Sequence, residues 1–126
     1  MTDDWKSKYD NAQASFSDGL ARVKLNGKWG FVNTQGKEVI PLMYDNVDFF
    51  SEGLSRVSLG DDETGKWGFV NTQGKEVIPL KYDYAWSFHE GLAIVKLSGK
   101  KGYVDKEGHE YWDMTEDEVR RQMRNR

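Results

Sequence analysis

The chain has no cysteine, only two prolines and two histidines, and no long apolar run. The lack of thiols excludes disulfides and thiolate chemistry. No segment approaches the roughly 20 consecutive apolar residues that a membrane-spanning helix needs. Residues 1–5 are acidic and lack the apolar segment of a secretory signal. We therefore expect a cytoplasmic protein that does not associate with a membrane.

Charge and size narrow the possibilities further. The 126 residues carry a formal net charge of −3, which argues against nucleic acid as the main partner. A globule of this length buries roughly two-thirds of the surface of its unfolded chain, so residues 1–126 can form one domain with its own core. Five Trp, six Tyr and six Phe supply large apolar areas, which suits thin repeats with few buried positions.

The sequence is built from repeats. Residues 27–42, which begin Gly-Lys-Trp-Gly-Phe-Val, return letter for letter at 65–80, and a looser copy runs from 99 to 112. A Tyr-Asp pair precedes each copy. Taken from that pair, the chain divides into three units and a tail, at residues 9–43, 44–81, 82–112 and 113–126.

Each unit has the pattern of a β-meander. Residues 20–25 alternate between apolar and basic side chains, which is the period of a half-buried strand. Asn26-Gly27 is a strong signal for a two-residue hairpin turn, because both positions must take a positive φ. Residues 28–33 form the next predicted strand, and 33–36 fit a four-residue turn with Asn first and Gly last.

The third predicted strand, 38–42, is nearly all apolar, so we expect it to be buried on both faces. Pro41 lacks an N–H group and places the end of that strand at an edge. Residues 44–50 fit a fourth short strand, a helical turn or a packed loop. The fold class is therefore an all-β repeat of three antiparallel meanders with about three strands each. They form either an open array or a closed barrel- or propeller-like ring.

After Trp112 the pattern changes to that of a helix. Thr115 and Glu118 form a capping box. Acidic residues fill the first turn and arginines the last, as the helix dipole favours. We predict a short helix over about 115–124 that covers an exposed end of the β array, since repeat proteins need such caps.

The Gly-Lys-Trp-Gly-Phe-Val stretch, the following Gly-Lys-Glu-Val-Ile-Pro run and the Tyr-Asp pair resemble the WG, or KWG, β-repeat of bacterial proteins. The resemblance covers nearly all of residues 8–112. It implies a β-rich repeat with an interaction or binding role and brings no catalytic residues. The third copy departs from the pattern, because Lys101 stands where the other copies have Trp29 and Trp67. Either the tryptophan is dispensable at the end of the array, or Lys101 meets the helix or solvent there.

No residue set indicates a reaction or a bound ion. His89 and His109 lie outside the shared pattern, and no two histidines, nor a histidine with cysteines, stand at metal-ligand spacing, so we interpret both as structural or surface residues. Residues 61–63 are acidic but lack the spaced ligands of a calcium loop, which favours a solvated, lengthened hairpin turn. We predict no catalytic residues, no cofactor and no metal, and hence a protein that is not an enzyme.

The aromatic residues allow two interpretations. Trp29 and Trp67, which alternation puts on one face with the Phe two residues later, form either the core between repeats or a stacking platform for sugars, peptides or bases. We favour the core, because an isolated unit cannot bury its own apolar face. Trp86 has no aromatic counterpart in the other units, so it is a better contact candidate. The predicted partner-binding residues are Trp86, Tyr84, Phe49 and His89.

These patterns favour a non-enzymatic module that binds a protein partner, such as a bacterial toxin or effector that it neutralises or scaffolds. The alternative is a module that binds a carbohydrate or cell-envelope ligand on its aromatic faces, against which the lack of a signal segment argues. The sequence does not indicate the oligomeric state.

Overall fold

The computed structural model describes residues 4–61 and 64–125 and contains three four-stranded antiparallel sheets. The first sheet contains β1 (Asn11–Ala12), β2 (Leu20–Leu25), β3 (Lys28–Asn33) and β4 (Glu38–Tyr44). The second contains β5 (Asn46–Val47), β6 (Leu54–Leu59), β7 (Lys66–Asn71) and β8 (Glu76–Tyr82). The third contains β9 (Tyr84–Ala85), β10 (Leu92–Leu97), β11 (Lys100–Asp105) and β12 (Glu110–Trp112). A 3₁₀ helix (Asp4–Lys8) precedes the sheets and helix α1 (Glu116–Arg124) follows them.

The strands lie in chain order within each sheet, which confirms three tandem meanders with a C-terminal helix. Each unit has four strands rather than about three. In the second unit the additional strand is β5, which lies in the segment 44–50 for which the sequence left three possibilities. There, β5 pairs with β6, and the N–H of Asp48 still donates to the carbonyl oxygen of Arg56 at 3.2 Å. The chain then leaves the sheet in a loop that is packed through the buried ring of Phe50.

The turns follow their sequence signals. Asn26 and Gly27 have φ angles of 54° and 83°, as the predicted hairpin turn requires. In the next turn, Asn33 Oδ1 accepts hydrogen bonds from the N–H groups of Gln35 at 2.9 Å and Lys37 at 3.0 Å. The side chain therefore closes the turn that its position predicts.

A bulge in β4 explains why glycine follows tryptophan in the motif. Trp29 and Phe31 are two positions apart in β3, whereas their partners Tyr44 and Ile40 are four apart in β4. The two additional residues bring the β4 backbone over Gly30. A Cβ atom there would lie 2.5 Å from the carbonyl oxygen of Ile40 and under 3 Å from the carbonyl group that follows. Only glycine leaves room for this bulge.

Strand β4 is the outer strand of its sheet, in agreement with the edge position that Pro41 predicts. The prediction that this strand is buried on both faces is wrong. Ile40 is fully buried, but Val39 and Pro41 are exposed. The neighbouring sheet covers the face of β4 that carries Ile40, and Leu42 is partly covered by the cluster around Tyr9.

The sheets stack face to face. Directly opposite residues of an antiparallel pair point to the same face, so Phe31 and Ile40 share one face of the first sheet. Both are fully buried, and they pack against Val57 and Val70 of the second sheet. Burying each such side chain contributes about 1.5–3 kcal/mol. The core of the protein therefore lies between its sheets.

We call the interface between two neighbouring sheets a joint. Each of the two joints contains the same aromatic pair. Phe31 meets Phe50 edge to face, with ring centroids 4.7 Å apart at an angle of 73°. Phe69 meets Phe88 at the same distance and angle. In both pairs the second ring comes from the loop after the two-residue strand of the following sheet. Such pairs add roughly 0.5–1.5 kcal/mol beyond the area that they bury.

The prediction that Trp29 and Trp67 form the core between repeats is only partly right. Both are half-buried, whereas Phe31 and Phe69, two residues later, are fully buried. Each tryptophan is the second residue of its strand, beside an exposed hairpin turn, so it lies at the margin of the joint. The phenylalanines form the centre and the tryptophans flank it.

Acidic side chains at the turns join each sheet to the next. Asp45 accepts hydrogen bonds from Lys28 Nζ and from the N–H of Gly60 at 2.7 Å. The hydrogen bond from Lys28, and then that from Gly60, lower the pKa of the Asp45 carboxyl group below its usual value. Asp83 repeats the arrangement one unit later, with Lys66 as its partner. Each of these aspartates thus binds both a backbone N–H group and a lysine of the preceding unit.

Both ends of the stack are covered. Trp5 and Tyr9 pack against Ala21, Val23 and Val32 on the outer face of the first sheet. The residues that pack there all belong to the first 42 positions of the chain. The two joints link the first sheet to the second and the second to the third. The array is therefore open and does not close into a ring.

Helix α1 covers the other end. Thr115 and Glu118 form the predicted capping box, since each side chain accepts a hydrogen bond from the other residue's N–H. Val119 is fully buried and packs against Leu92 and Tyr111 of the third sheet. This confirms the predicted capping helix. In the part of the chain that the structure describes, no helix is long and apolar enough to cross a membrane.

The third unit replaces the missing tryptophan from another strand. Lys101 is exposed, so its side chain meets solvent. Trp112 of β12 lies over Gly102 and packs against the core of the second joint. Of the acidic insertion at 61–63, Asp62 and Glu63 lie outside the described residues. Asp61 Oδ1 accepts a hydrogen bond from the N–H of Thr64 at 2.7 Å, as in a lengthened turn.

Candidate functional site

Two large apolar side chains remain exposed beside the aromatic residues that flank the joints. Phe49 is 48% exposed and Trp86 is 40% exposed. Each follows the two-residue strand of its sheet, β5 for Phe49 and β9 for Trp86. The N–H of Trp86 donates to the carbonyl oxygen of Ile94 at 2.9 Å, which fixes its backbone to β10. The exposed rings are thus held on an ordered edge of the array.

Arginines stack between these aromatic rings. The Arg22 guanidinium lies 5.3 Å from the ring centroid of Trp29 and 5.7 Å from that of Phe49. One unit later, Arg56 lies 5.2 Å from the ring centroid of Trp67 and 5.4 Å from that of Tyr84. Each contact of this kind contributes roughly 0.5–1 kcal/mol or more when it is shielded from water. The stacking links the two sheets at each joint.

Arg56 is held by a polar network as well as by stacking. Its Nε donates to Asp48 Oδ2 at 3.0 Å, and its Nη1 donates to the Tyr84 hydroxyl at 2.8 Å and to the Ala85 carbonyl oxygen at 2.7 Å. Asp48 also accepts a hydrogen bond from Ser87 Oγ at 3.0 Å. The guanidinium geometry uses several donors at once, which gives a rigid centre to this surface.

Tyr84 connects this network to Trp86, because their rings meet edge to face with centroids 4.6 Å apart. The rings thus form a row of two groups, with Trp29 and Phe49 around Arg22 at the first joint and Trp67, Tyr84 and Trp86 at the second. We call this row the aromatic strip; it consists of Trp29, Phe49, Trp67, Tyr84 and Trp86.

The strip ends at a cleft between α1 and the third sheet. This terminal cleft has a volume of about 110 Å³, and its lining includes Trp86, His89, Ile94, Tyr103, Glu116 and Arg120. The cleft exists because a nine-residue helix replaces the four-stranded sheet that covers the equivalent face in the other units. Tyr103 has the position of Phe31 and Phe69, whose rings are each covered by a phenylalanine of the following unit. The third unit is followed by α1 instead of a further unit, so Tyr103 lines the cleft.

Charged groups of α1 form the outer wall of the terminal cleft. Arg120 Nε donates to Glu116 Oε2 at 2.8 Å, and Arg120 Nη1 donates to the Glu90 carbonyl oxygen at 2.7 Å. The helix is thereby tied to the turn that precedes β10. The cleft therefore has an apolar floor and a polar margin, which is the usual composition of a recognition site.

The structure brings together three of the four predicted partner-binding residues. Tyr84 and Trp86 are in contact, and Trp86 and His89 line the same cleft. Phe49 lies one unit away and contacts Arg22 rather than the cleft. The involvement of all four in binding stays a prediction.

The arginines were not among the predicted binding residues. Arg22 and Arg56 occupy the same position in two successive units, opposite Phe31 and Phe69 in the strand register. A basic residue that recurs opposite a buried ring is the signal that could have identified them. Arg120 was not predicted, and Tyr103 was not assigned to a cleft, because the cleft depends on where α1 docks, which no local pattern determines.

Comparison with known proteins adds one finding. A family model described as "WG containing repeat" matches the chain three times, at residues 6–29, 29–61 and 67–100. No curated protein and no solved structure shows significant similarity to the chain. Because the three matches together cover most of the sequence, the chain belongs to the WG containing repeat family.

Proposed function

We propose that the protein is a non-enzymatic binding module that holds a partner protein against the aromatic strip and the terminal cleft. The observation that carries this proposal is the exposure of Phe49 and Trp86 beside stacked arginines. Aromatic residues and arginine are enriched at protein interfaces, and tryptophan, tyrosine and arginine dominate their binding energy. Membership of a repeat family supports the same role, since stacked repeats present extended surfaces to partners.

The dimensions of the surface suit a protein. A typical interface takes about 800 Å² from each partner, which is roughly a tenth of the 7340 Å² that this chain exposes. The strip spans all three sheets, and a partner that follows it would contact each unit. The terminal cleft offers one apolar depression in which a side chain of that partner is buried.

Stacked arginines argue against a carbohydrate ligand. A sugar binds to tryptophan by lying flat on an open ring face, but Arg22 lies over Trp29 and Arg56 over Trp67. Trp86 is the tryptophan of the strip that keeps substantial exposure. A carbohydrate or cell-envelope ligand therefore has one well-exposed tryptophan ring available, whereas a protein can use the whole strip. A bacterial toxin or effector that the module neutralises or scaffolds fits this use.

The test is capture of a partner from a lysate of the source cells, followed by measurement of its dissociation constant. Trp86→Ala should weaken binding about 30-fold, the effect of losing a binding hot spot of about 2 kcal/mol. Met43→Ala is the matched control, because Met43 is a comparably exposed apolar side chain, at 43%, that is not one of the strip residues. Its affinity should equal that of the unmodified protein.

The proposal would be refuted if the Trp86→Ala and Phe49→Ala variants bound every captured protein with the affinity of the unmodified protein. Titration with glycans, followed by tryptophan fluorescence, tests the alternative directly. A saturable fluorescence change that is lost in Trp86→Ala, without any captured protein, would replace the protein partner by a carbohydrate.

A further inference from the structure

The turn between β11 and β12 differs chemically from its counterparts in the other two units. In those units the equivalent turns carry two amides and a lysine, at Asn33, Gln35 and Lys37 and at Asn71, Gln73 and Lys75. The third unit replaces them with two carboxylates and an imidazole, at Asp105, Glu107 and His109. The replacements change neutral amides and a cationic lysine, which bind transition-metal ions poorly, into carboxylates and an imidazole, which bind them well.

These three side chains converge in space. His109 Nδ1 lies 3.1 Å from Asp105 Oδ2 and 3.6 Å from Glu107 Oε1. The three ligand atoms all lie within 4.8 Å of one another. Bond lengths of about 2.0–2.2 Å and tetrahedral angles place neighbouring ligands of zinc about 3.4 Å apart. The spacing of the imidazole from both carboxylates is therefore close to that of neighbouring ligands on one ion.

The backbone and a tyrosine hold Asp105 in place. Its Oδ1 accepts hydrogen bonds from the N–H groups of Glu107 and His109, both at 3.0 Å. Its Oδ2 accepts a hydrogen bond from the Tyr111 hydroxyl at 2.9 Å. Tyr111 stands where the other units have Val39 and Val77, so this hydroxyl is also particular to the third unit. Partners of this kind orient the ligands of metal sites and strengthen them.

The two remaining side chains can adjust to an ion. His109 and Glu107 are exposed, whereas Asp105 is buried. Asp105 and Glu107 border an open depression, so an ion can enter from solvent and water can complete its coordination. The imidazole distinguishes this group from an ordinary acidic cluster, because magnesium and calcium prefer oxygen ligands whereas imidazole suits zinc and its neighbours.

We propose that Asp105, Glu107 and His109 bind one divalent transition-metal ion, zinc in the first place, with water as the fourth ligand. His109 binds through the Nδ1 lone pair, so its ring proton resides on Nε2. The ion replaces the hydrogen bond between His109 and Asp105 and fastens β12 to β11 beside the docking site of α1. The site is separate from the aromatic strip and does not depend on the proposed partner.

The experiment uses the full-length chain freed of metal, titrated with zinc by calorimetry and with cobalt by visible absorption. We expect one ion per chain and the strong absorption of tetrahedral cobalt. His109→Lys, the residue that both other turns carry, should weaken zinc binding at least 100-fold. Tyr111→Phe should weaken it about 10-fold, the effect of losing one orienting hydrogen bond.

A matched control keeps the result interpretable. His89→Ser removes the other histidine and installs the residue of the second unit, and it should leave zinc affinity unchanged. Far-UV circular dichroism should show that all variants fold, because the turn with lysine already exists twice in the chain. The proposal is overturned by the absence of saturable zinc binding, by undiminished binding in folded His109→Lys, or by equal loss in His89→Ser.

Discussion

Gly68 stands directly after Trp67 in the motif, and its replacement by alanine tests the physical basis of that motif. A Cβ atom at Gly68 would meet the carbonyl oxygen of Ile78 and would lie 2.7 Å from the carbonyl group of Pro79. Both are backbone groups of the bulge in β8, which cannot rotate away as a side chain can. Overpacking typically costs 1–3 kcal/mol, and a clash with backbone places Gly68→Ala at about 3 kcal/mol.

The assay is urea denaturation followed by tryptophan fluorescence and far-UV circular dichroism. A loss of about 3 kcal/mol lowers the ratio of folded to unfolded protein by roughly two orders of magnitude. Gly102→Ala is the matched comparison. There the nearest atoms belong to the Trp112 side chain, with the Tyr111 carbonyl oxygen at 2.8 Å, so partial relief by ring movement should reduce the loss to about 1–2 kcal/mol.

The outcome that refutes this reasoning is a Gly68→Ala variant with the stability of the unmodified protein. It would mean that the bulge moves freely and that glycine has another role in the motif. A larger loss for Gly102→Ala than for Gly68→Ala would also contradict the distinction between backbone and side-chain obstacles.

Val119→Ala should lower the free energy of unfolding by about 2 kcal/mol, because it removes two buried methyl groups beneath α1; an unchanged urea midpoint would show that α1 does not cover the sheet. Lys28 is the main cause of the lowered pKa of Asp45. The stabilisation from that carboxylate is therefore present above its unfolded pKa of about 3.8 and is lost as the pH falls through the lower folded pKa. Asp45→Asn should accordingly reduce the acid dependence of stability, measured as the urea midpoint against pH. Burial, and then Glu38, raise the pKa of Tyr9 to about 12, so ultraviolet titration should show a late phenol ionisation that Tyr9→Phe removes.

Much of the fold was predictable because its signals are local. The hairpin at Asn26-Gly27 depends on two positive φ angles, and the start of α1 depends on hydrogen bonds between Thr115 and Glu118. Letter-for-letter repetition then transfers each inference from one unit to the next. A sequence pattern suffices wherever one residue and its immediate neighbours determine the conformation.

The parts that could not be predicted depend on contacts between units. The apolar run around Ile40 predicts burial on both faces, but Val39 and Pro41 of this outer strand are exposed. Trp29 and Phe31 have the same alternation, and the nearness of Trp29 to the turn leaves it half-buried. The sequence also did not determine whether the array closes into a ring, because closure depends on the accumulated angle between sheets and not on any one residue.

The candidate site was predictable in part. Trp86 stood out because it breaks the repeat, and its exposure agrees with a contact role without testing it. The stacking of Arg22 between Trp29 and Phe49 joins residues of two units that are far apart in sequence. The terminal cleft needs α1 in its docked position. Sites assembled from several elements require the fold before they can be recognised.

The central claim is that three sheets stack as an open array through equivalent phenylalanine pairs. Nuclear Overhauser measurements on the full chain test it most directly, because ring protons must lie close for a signal to appear. We predict cross-peaks between Phe31 and Phe50 and between Phe69 and Phe88, whose ring centroids are 4.7 Å apart in both cases. Cross-peaks that join Tyr9 to Tyr111, which cover opposite ends of the stack, would instead show a closed ring and contradict the account.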